Sequence, residues 1–335
     1  MKSAGHQYIE RSTSKVVTEK LFQDRTIQII YSSIREKAPL IFKMLISSRS
    51  SSFLGFINYD FSITGKIHDP KNVFKNLEIK EKELFLNSDT LDTYRKIFER
   101  QIQYWNFRPM TDDPSSVVSP ADSKAITNTF QQRRDLFIKD KFFTYDELIG
   151  KDKNKWINAF QDGDYSIFRL TPEKYHYNHA PVSGRVVDFY EINGQYHSCN
   201  PDAIVKAITP FSKNQRVVTI MDTDVEGGTN VGLVAMVEVV ALMIGRIVQC
   251  YSCEKYNAPV QIEKGLFIKK GQPKSLFRPG SSTTILLFQK HRLTFSKDLL
   301  ENRARKDVQT RFTSGFKETL VETELNVRET IGKAV

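Results

Sequence analysis

From residue 114 onward the chain is a succession of short apolar runs broken by Gly, Pro, Asn and Asp, and this pattern constrains the fold most. The runs are SIFRL at 166–170, GRVVDFYEI at 184–192, QRVVTIMDT at 215–223, LVAMVEVV at 233–240 and STTILLF at 282–288. Val, Ile and Thr branch at Cβ and suit a pleated, packed surface, so such runs read as strands. The most apolar stretch, Val231 to Val248, is interrupted by Glu238 and Arg246. It falls short of the roughly 20 apolar residues of a bilayer-spanning helix, and its Val-rich texture suits buried strands. The closing ETLVETELNVRETIGKAV predicts one or two further strands.

Residues 1–110 read as mostly helical. Apolar residues recur at three- and four-residue spacing over Ser12–Leu21 and Ile27–Ile46, and a further helix is expected over Asp89–Tyr104, capped by Ser88 or Asp89. Pro39 breaks the second stretch, and SSRSSS at 47–52 reads as a loop. The expected fold class is therefore α+β: a helical region over 1–110, then a β-rich catalytic domain over 111–335. The 27–46 stretch also carries Arg35, Lys37 and Lys43. Such a stripe either packs a pair of helices on the core or lies as a basic amphipathic element on a membrane.

Charge and cysteines narrow the setting. The 335 residues carry a net charge of +10, which favours anionic partners. Basic residues are dispersed and no aromatic-plus-basic signature appears, so nucleic acid is not expected. MKSAGHQYIERSTSK has no apolar run of the signal-peptide kind, and three cysteines do not make a secreted disulfide framework. The expectation is a cytoplasmic chain, soluble or peripheral at a membrane, not secreted and without a transmembrane span. Cys250 and Cys253 form a CxxC and His176 and His179 an HxxH, but the pairs lie far apart in strand-like stretches and no zinc site is expected. No phosphate-loop, dinucleotide or GxSxG motif occurs. Asp222, Asp224, Glu226 and Gly227 begin like a calcium loop, yet Leu233 stands where the closing Glu belongs, so an acidic hairpin turn is expected.

Three segments place reactive side chains in turns: VVSPADS at 117–123, YHYNHAPVSGRVV at 175–187 and FRPGSSTTILLF at 277–288. Together they offer a carboxylate, an imidazole and a hydroxyl, the set that can activate a serine. Jointly, VSPADS, YHYNHAPVSG and PGSSTTILLF resemble the VSPADG, YHRxHxPVxG and GS[ST] boxes of the phosphatidylserine decarboxylase family, and FRPM at 107–110 resembles its FxRP segment. The resemblance covers about 105–290 and points to the soluble branch. It departs at Ser123, where the family has Gly, and at the doubled serine, Ser281 and Ser282. Ser281 is preferred because Gly280 precedes it and leaves the carbonyl open to attack, with Ser282 the alternative.

The resemblance implies a self-processing enzyme. Ser281 Oγ would attack the Gly280 carbonyl, with His179 as base and Asp122 orienting it. Elimination from the resulting ester would cut the chain between Gly280 and Ser281 and leave a dehydroalanine, which water would hydrolyse, with loss of ammonia, to a pyruvoyl group in place of Ser281. That group is an electron sink for decarboxylation, the role pyridoxal phosphate plays elsewhere. No metal or nucleotide is expected. His176 and Ser282 are assigned to substrate binding or positioning, and a structural His176 is an equal reading. The segments APVSGRVVDFYEINGQ and IKKG at 268–271 resemble the barrel-sandwich hybrid sheets of carrier domains.

The leading expectation is conversion of phosphatidylserine to phosphatidylethanolamine and carbon dioxide, with peripheral contact to an anionic membrane and a homo-oligomeric state. One alternative is decarboxylation of a free amino acid by the same pyruvoyl chemistry. Another is a serine hydrolase built on Asp122, His179 and Ser281, and a further one is a binding protein that keeps the fold without catalysis.

Overall fold

A computed structural model describes residues 5–21, 24–47, 67, 69–129, 142–207, 209–241, 246–279 and 282–335. In chain order the strands are β1 Gln7–Glu10, β2 Lys15–Thr18, β3 Ser116–Val118, β4 Ser123–Thr129, β5 Asp164–Leu170, β6 Tyr177–His179, β7 Gly184–Ile192 and β8 Arg216–Asp222. There follow β9 Leu233–Val239, β10 Ile247–Gln249, β11 Phe267–Ile268, β12 Pro273–Phe277, β13 Ser282–Phe288, β14 Leu293–Phe295, β15 Glu322–Leu325 and β16 Thr330–Ala334. A ten-stranded sheet runs β11-β7-β8-β9-β13-β5-β4-β15-β1-β2. Two three-stranded sheets, β10-β12-β6 and β14-β16-β3, complete the α+β fold.

The strand-like runs of the sequence form β5, β7, β8, β9 and β13, and the closing segment supplies β15 and β16. The continuous apolar run of β13 has a physical reason. Ile285 and Leu287 enter one buried cluster with Ala235 and Val237, whereas Leu286 and Phe288 enter another with Val234 and Met236. Both faces are covered there, so no polar alternation survives. The acidic 222–232 segment is the turn of the β8–β9 hairpin, with Gly227 at φ +73°.

Two helical expectations are corrected. Over Ser12–Leu21 the chain forms β2, which pairs antiparallel with β1, and β1 adds in parallel to β15. Val16, Val17 and Thr18 are β-branched, and Ser14 at φ +59° reverses the chain, so an exposed sheet edge outweighs helical spacing. Over Asp89–Tyr104 the chain makes a 3-10 turn at Ser88–Thr90 and short helices at Tyr94–Phe98 and Tyr104–Phe107. Thr93 and Asn87 provide the capping oxygens, and Tyr256 Oη engages both backbone groups of Ile102, which removes them from any helical ladder.

The 27–46 stretch forms helical segments at Asp24–Ile29, Ile30–Ile34, Arg35–Lys37 and Pro39–Leu45, interrupted before Pro39. Ile27, Tyr31, Phe42 and Ile46 pack with Ala203, while Leu40 and Ile41 stay exposed. Ser47 closes the described part of this region, and the expected loop at 48–52 lies outside the described residues. No helix among the described residues is long and apolar enough to cross a membrane.

Candidate active site

The site begins at the turn between β3 and β4. Ser119 Oγ donates to Ala121 O (2.8 Å), and Ser123 Oγ donates to the same carbonyl (3.2 Å). Ser123, the departure from the family pattern, thus supports the turn. The turn presents Asp122, whose carboxylate accepts from Val327 N–H (2.8 Å) and from Arg108 Nε (3.0 Å) and Nη2 (2.7 Å). Burial pushes the Asp122 carboxyl up, but the Arg108 guanidinium and the Val327 amide outweigh it and hold the group below its ordinary value.

The histidine motif is zipped onto this turn. His179 N–H donates to Pro120 O (2.7 Å) and Val118 N–H to Pro181 O (3.0 Å). The His179 ring is buried, and its Nδ1 lies 2.9 Å from Gly271 O while Nε2 lies 3.0 Å from Tyr175 Oη. A carbonyl can only accept, so Nδ1 carries the proton and Nε2 of the neutral ring is an acceptor. The Tyr104 ring meets His179 edge-on at 4.7 Å. Burial drives His179 down to about 3, which keeps it neutral at physiological pH.

Gly271 is fitted to this task. It takes φ +74°, where a side chain would be strained, and a Cβ there would lie 2.4 Å from Met110 Sδ. Its backbone is fixed by a hydrogen bond from Gly271 N–H to Ala180 O (2.8 Å).

Asp122 and His179 are therefore brought into one substructure but share no hydrogen bond. The expectation that Asp122 directly orients the imidazole is corrected: Arg108 takes the carboxylate, and Gly271 O takes the ring N–H. His176 stacks on Phe98 with ring centroids 3.6 Å apart, and neither of its ring nitrogens has a hydrogen-bonding partner among the described residues. Burial also holds His176 well below the usual histidine range.

The serine box completes the geometry from its flanks. β12 leaves the site at Phe277, whose N–H donates to His176 O (3.1 Å), and β13 begins at Ser282, opposite Leu170 of β5. Gly280 and Ser281 lie between these points, outside the described residues. Ser282 is buried, and its hydroxyl has no partner among the described residues.

Several residues of this site escaped the sequence reading. Arg108 stands in the quoted FRPM segment, but nothing in the sequence marks it as the partner of Asp122. Tyr175 and Tyr256 meet through their hydroxyls at 2.7 Å. A buried network also lies along β9, β12 and β6. Lys274 Nζ donates to Glu238 Oε2 (2.8 Å) and Gln249 Oε1 (2.8 Å), while Ser275 Oγ donates to Glu238. Asn178, the residue before His179, accepts from Thr284 Oγ of β13 (2.8 Å) and so ties the histidine strand to the serine strand.

Two clefts border the site. One, of about 490 Å³, touches Asp122, Arg108, Arg100, Lys174 and Tyr175. The other, of about 430 Å³, touches Tyr104, Trp105, Lys255, Gln272 and Arg328. Among the described residues, the group with the spacing of metal ligands is His6, Glu19 and Glu322. Arg169 already bridges both carboxylates and Lys124 lies 3.3 Å from Glu19, so this cluster is a buried ion-pair network.

Known proteins are similar to this chain over most of its length. A family profile described as phosphatidylserine decarboxylase matches residues 94–312. The chain is 29% identical over 312 residues to the phosphatidylserine decarboxylase proenzyme of Fusobacterium nucleatum, covering 93% of this chain and 96% of that one. It is 33% identical over 249 residues to the proenzyme of Clostridium perfringens strain SM101, covering 73% of each. It is 27% identical over 330 residues to phosphatidylserine decarboxylase proenzyme 3 of Schizosaccharomyces pombe, of which it spans 30%.

Proposed function

Because the chain belongs to the phosphatidylserine decarboxylase family, we propose that it cuts itself between Gly280 and Ser281 and then decarboxylates phosphatidylserine to phosphatidylethanolamine. It is a pyruvoyl-dependent carboxy-lyase in this reading, and its zymogen is the chain before that cut. The relatives' names favour the phospholipid over a free amino acid, and they favour lyase over hydrolase or binding chemistry.

One observation carries the reading: the histidine motif is hydrogen-bonded both to the Asp122 turn, through His179 N–H to Pro120 O, and to the strand that leads into the serine box, through Phe277 N–H to His176 O. The residues fit a chain-derived group at 281. A buried neutral imidazole stands in the site as a base, and the unpaired ring of His176 and hydroxyl of Ser282 are free to meet new groups. In this reading His179 Nε2 takes the Ser281 hydroxyl proton as Oγ attacks the Gly280 carbonyl, and it later holds a proton for return to carbon. Asp122 acts at one remove: clamped by Arg108, it fixes the turn whose Pro120 carbonyl holds the backbone of His179. When formed, the pyruvoyl group supplies the electron sink.

The setting belongs to the same reading. Residues 111–335 carry the decarboxylase domain, with sheets of the barrel-sandwich kind, and residues 1–110 add the β1–β2 pair to the edge of its main sheet and short helices around it. The protein is cytoplasmic, homo-oligomeric and peripheral at an anionic membrane. Exposed Leu40 and Ile41 beside exposed Lys37 and Lys43 suit such a surface. Lys255 and Arg328 at the second cleft suit an anionic headgroup. The test is carbon dioxide release from phosphatidylserine vesicles compared with free serine and free aromatic amino acids. Release from vesicles alone is expected, and release from a free amino acid alone would overturn the substrate assignment.

A further inference from the structure

The third member of a serine-activating set stabilises the imidazolium that forms when the histidine takes a proton. Asp122 does not touch His179 here, so that task falls to other groups. The Nε2 side of His179 leads into a chain of hydroxyls: Tyr175 Oη at 3.0 Å, then Tyr256 Oη at 2.7 Å, then Ile102 O at 2.8 Å. Tyr256 Oη also accepts from Ile102 N–H at 3.2 Å.

Each phenol has one hydrogen, and counting hydrogens allows two complete arrangements. With neutral His179, Tyr175 donates to Nε2 and Tyr256 donates to Tyr175. Ile102 O then still accepts from Tyr104 N–H at 2.9 Å, so nothing is left unmet. With protonated His179, Nε2–H donates to Tyr175, Tyr175 donates to Tyr256, and Tyr256 donates to Ile102 O. We infer that Tyr175 and Tyr256 form a hydroxyl relay that reverses its direction when His179 gains a proton, and that both act as positioning residues for self-cleavage.

The relay rests on the function proposed above, since it serves the base of that reaction. Its switch breaks no bond to hydrogen in the tyrosines. Each hydroxyl turns about its C–O bond, which first breaks the Tyr175 O–H hydrogen bond to Nε2 and frees the single lone pair of that nitrogen, and the one transferred proton is the one His179 then takes from the serine hydroxyl. The charged groups facing His179 make such help necessary. Arg328 and Arg108 oppose the imidazolium, and Asp122 favours it from a distance. Tyr104, against the ring edge, stays a neutral phenol. Tyr175 is buried and Tyr256 half-buried, so the relay leads from the imidazole toward the 252–260 loop.

The test pairs two readouts on Tyr256→Phe and Tyr175→Phe. Self-cleavage is followed by intact mass, and the His179 Nε2 nitrogen resonance is read at pH 7 in a Ser281→Ala background, where the chain stays whole. Y256F removes the acceptor needed by the protonated state, together with the hydrogen bonds of Tyr256 Oη to Ile102, and leaves the Tyr175–Nε2 contact in place. It is expected to slow cleavage about ten- to hundredfold, the worth of a hydrogen bond to a charged group, and to leave the Nε2 resonance in place. Y175F is expected to slow cleavage and to move Nε2 toward the position of an unbonded imine nitrogen. Wild-type cleavage in Y256F would overturn the relay, and so would a Y256F shift of Nε2 as large as that of Y175F. A wild-type chain that never cuts itself would overturn the function proposed above instead.

Discussion

Arg108 grips the Asp122 carboxylate with two nitrogens, Nε to Oδ1 at 3.0 Å and Nη2 to Oδ2 at 2.7 Å, at a buried turn. Removing the guanidinium leaves the carboxylate without its charge partner. Arg108→Ala is expected to cost about 3–5 kcal/mol, the usual consequence of stranding a buried charge. Arg108→Lys should recover part of it, since lysine keeps the charge but not the fork. Urea unfolding of both variants measures this, and an unchanged midpoint for Arg108→Ala would remove the clamp from the account.

Acid sensitivity follows from three buried histidines. Burial lowers His176 well below its ordinary value, His179 to about 3 and His197 to about 4. The unfolded chain binds protons at these rings near pH 6.5, and the folded chain does not until far lower. Stability is therefore full above pH 6.5 and falls as pH drops toward 4, by up to about 1.4 kcal/mol per pH unit for each ring. Denaturant titrations at pH 7.5, 6 and 5 test this. A flat profile, or stability rising with acid, would contradict it.

The Lys274–Glu238 pair is fully buried and joined at 2.8 Å. Lys274→Met is expected to cost about 3–5 kcal/mol because Glu238 is left unpaired. The double variant Lys274→Met with Glu238→Gln should be more stable than Lys274→Met alone. Chemical denaturation of the four proteins of the cycle gives the coupling directly. Additive losses would mean that the two side chains do not act as a pair.

Leu40 and Ile41 are exposed beside Phe42, which packs into the core. Replacing both with Asp should weaken flotation with anionic vesicles by about tenfold or more, given the worth of burying two large aliphatic side chains. The unfolding midpoint should hardly move, since both side chains already face solvent. Undiminished flotation would place the membrane contact elsewhere.

Much of the β architecture was legible in the sequence, and the reason is specific. β13 and β9 are buried on both faces, so their apolar runs are long and unmistakable. β2 was not legible, because KVVT is short and becomes a strand only when β1 meets β15, more than three hundred residues along the chain. The motifs located the site, yet the partners of its side chains did not follow from them. Asp122 and His179 sit in neighbouring motifs but bond to Arg108 and to Gly271 and Tyr175. Tyr256 lies 81 residues from Tyr175, in a loop that matches no motif, and only folding brings their hydroxyls together.

The central claim is that the chain is a zymogen whose residue 281 becomes the reactive group, and intact-mass analysis of the purified protein tests it most directly. The account predicts two chains, residues 1–280 and residues 281–335, the smaller one blocked at its N-terminus and lighter, by the ammonia lost in forming the pyruvoyl, than the same chain beginning with serine. It also predicts that Ser281→Ala stays whole. A wild-type chain that remains a single 335-residue species, or a cut on the far side of Ser281, would contradict it.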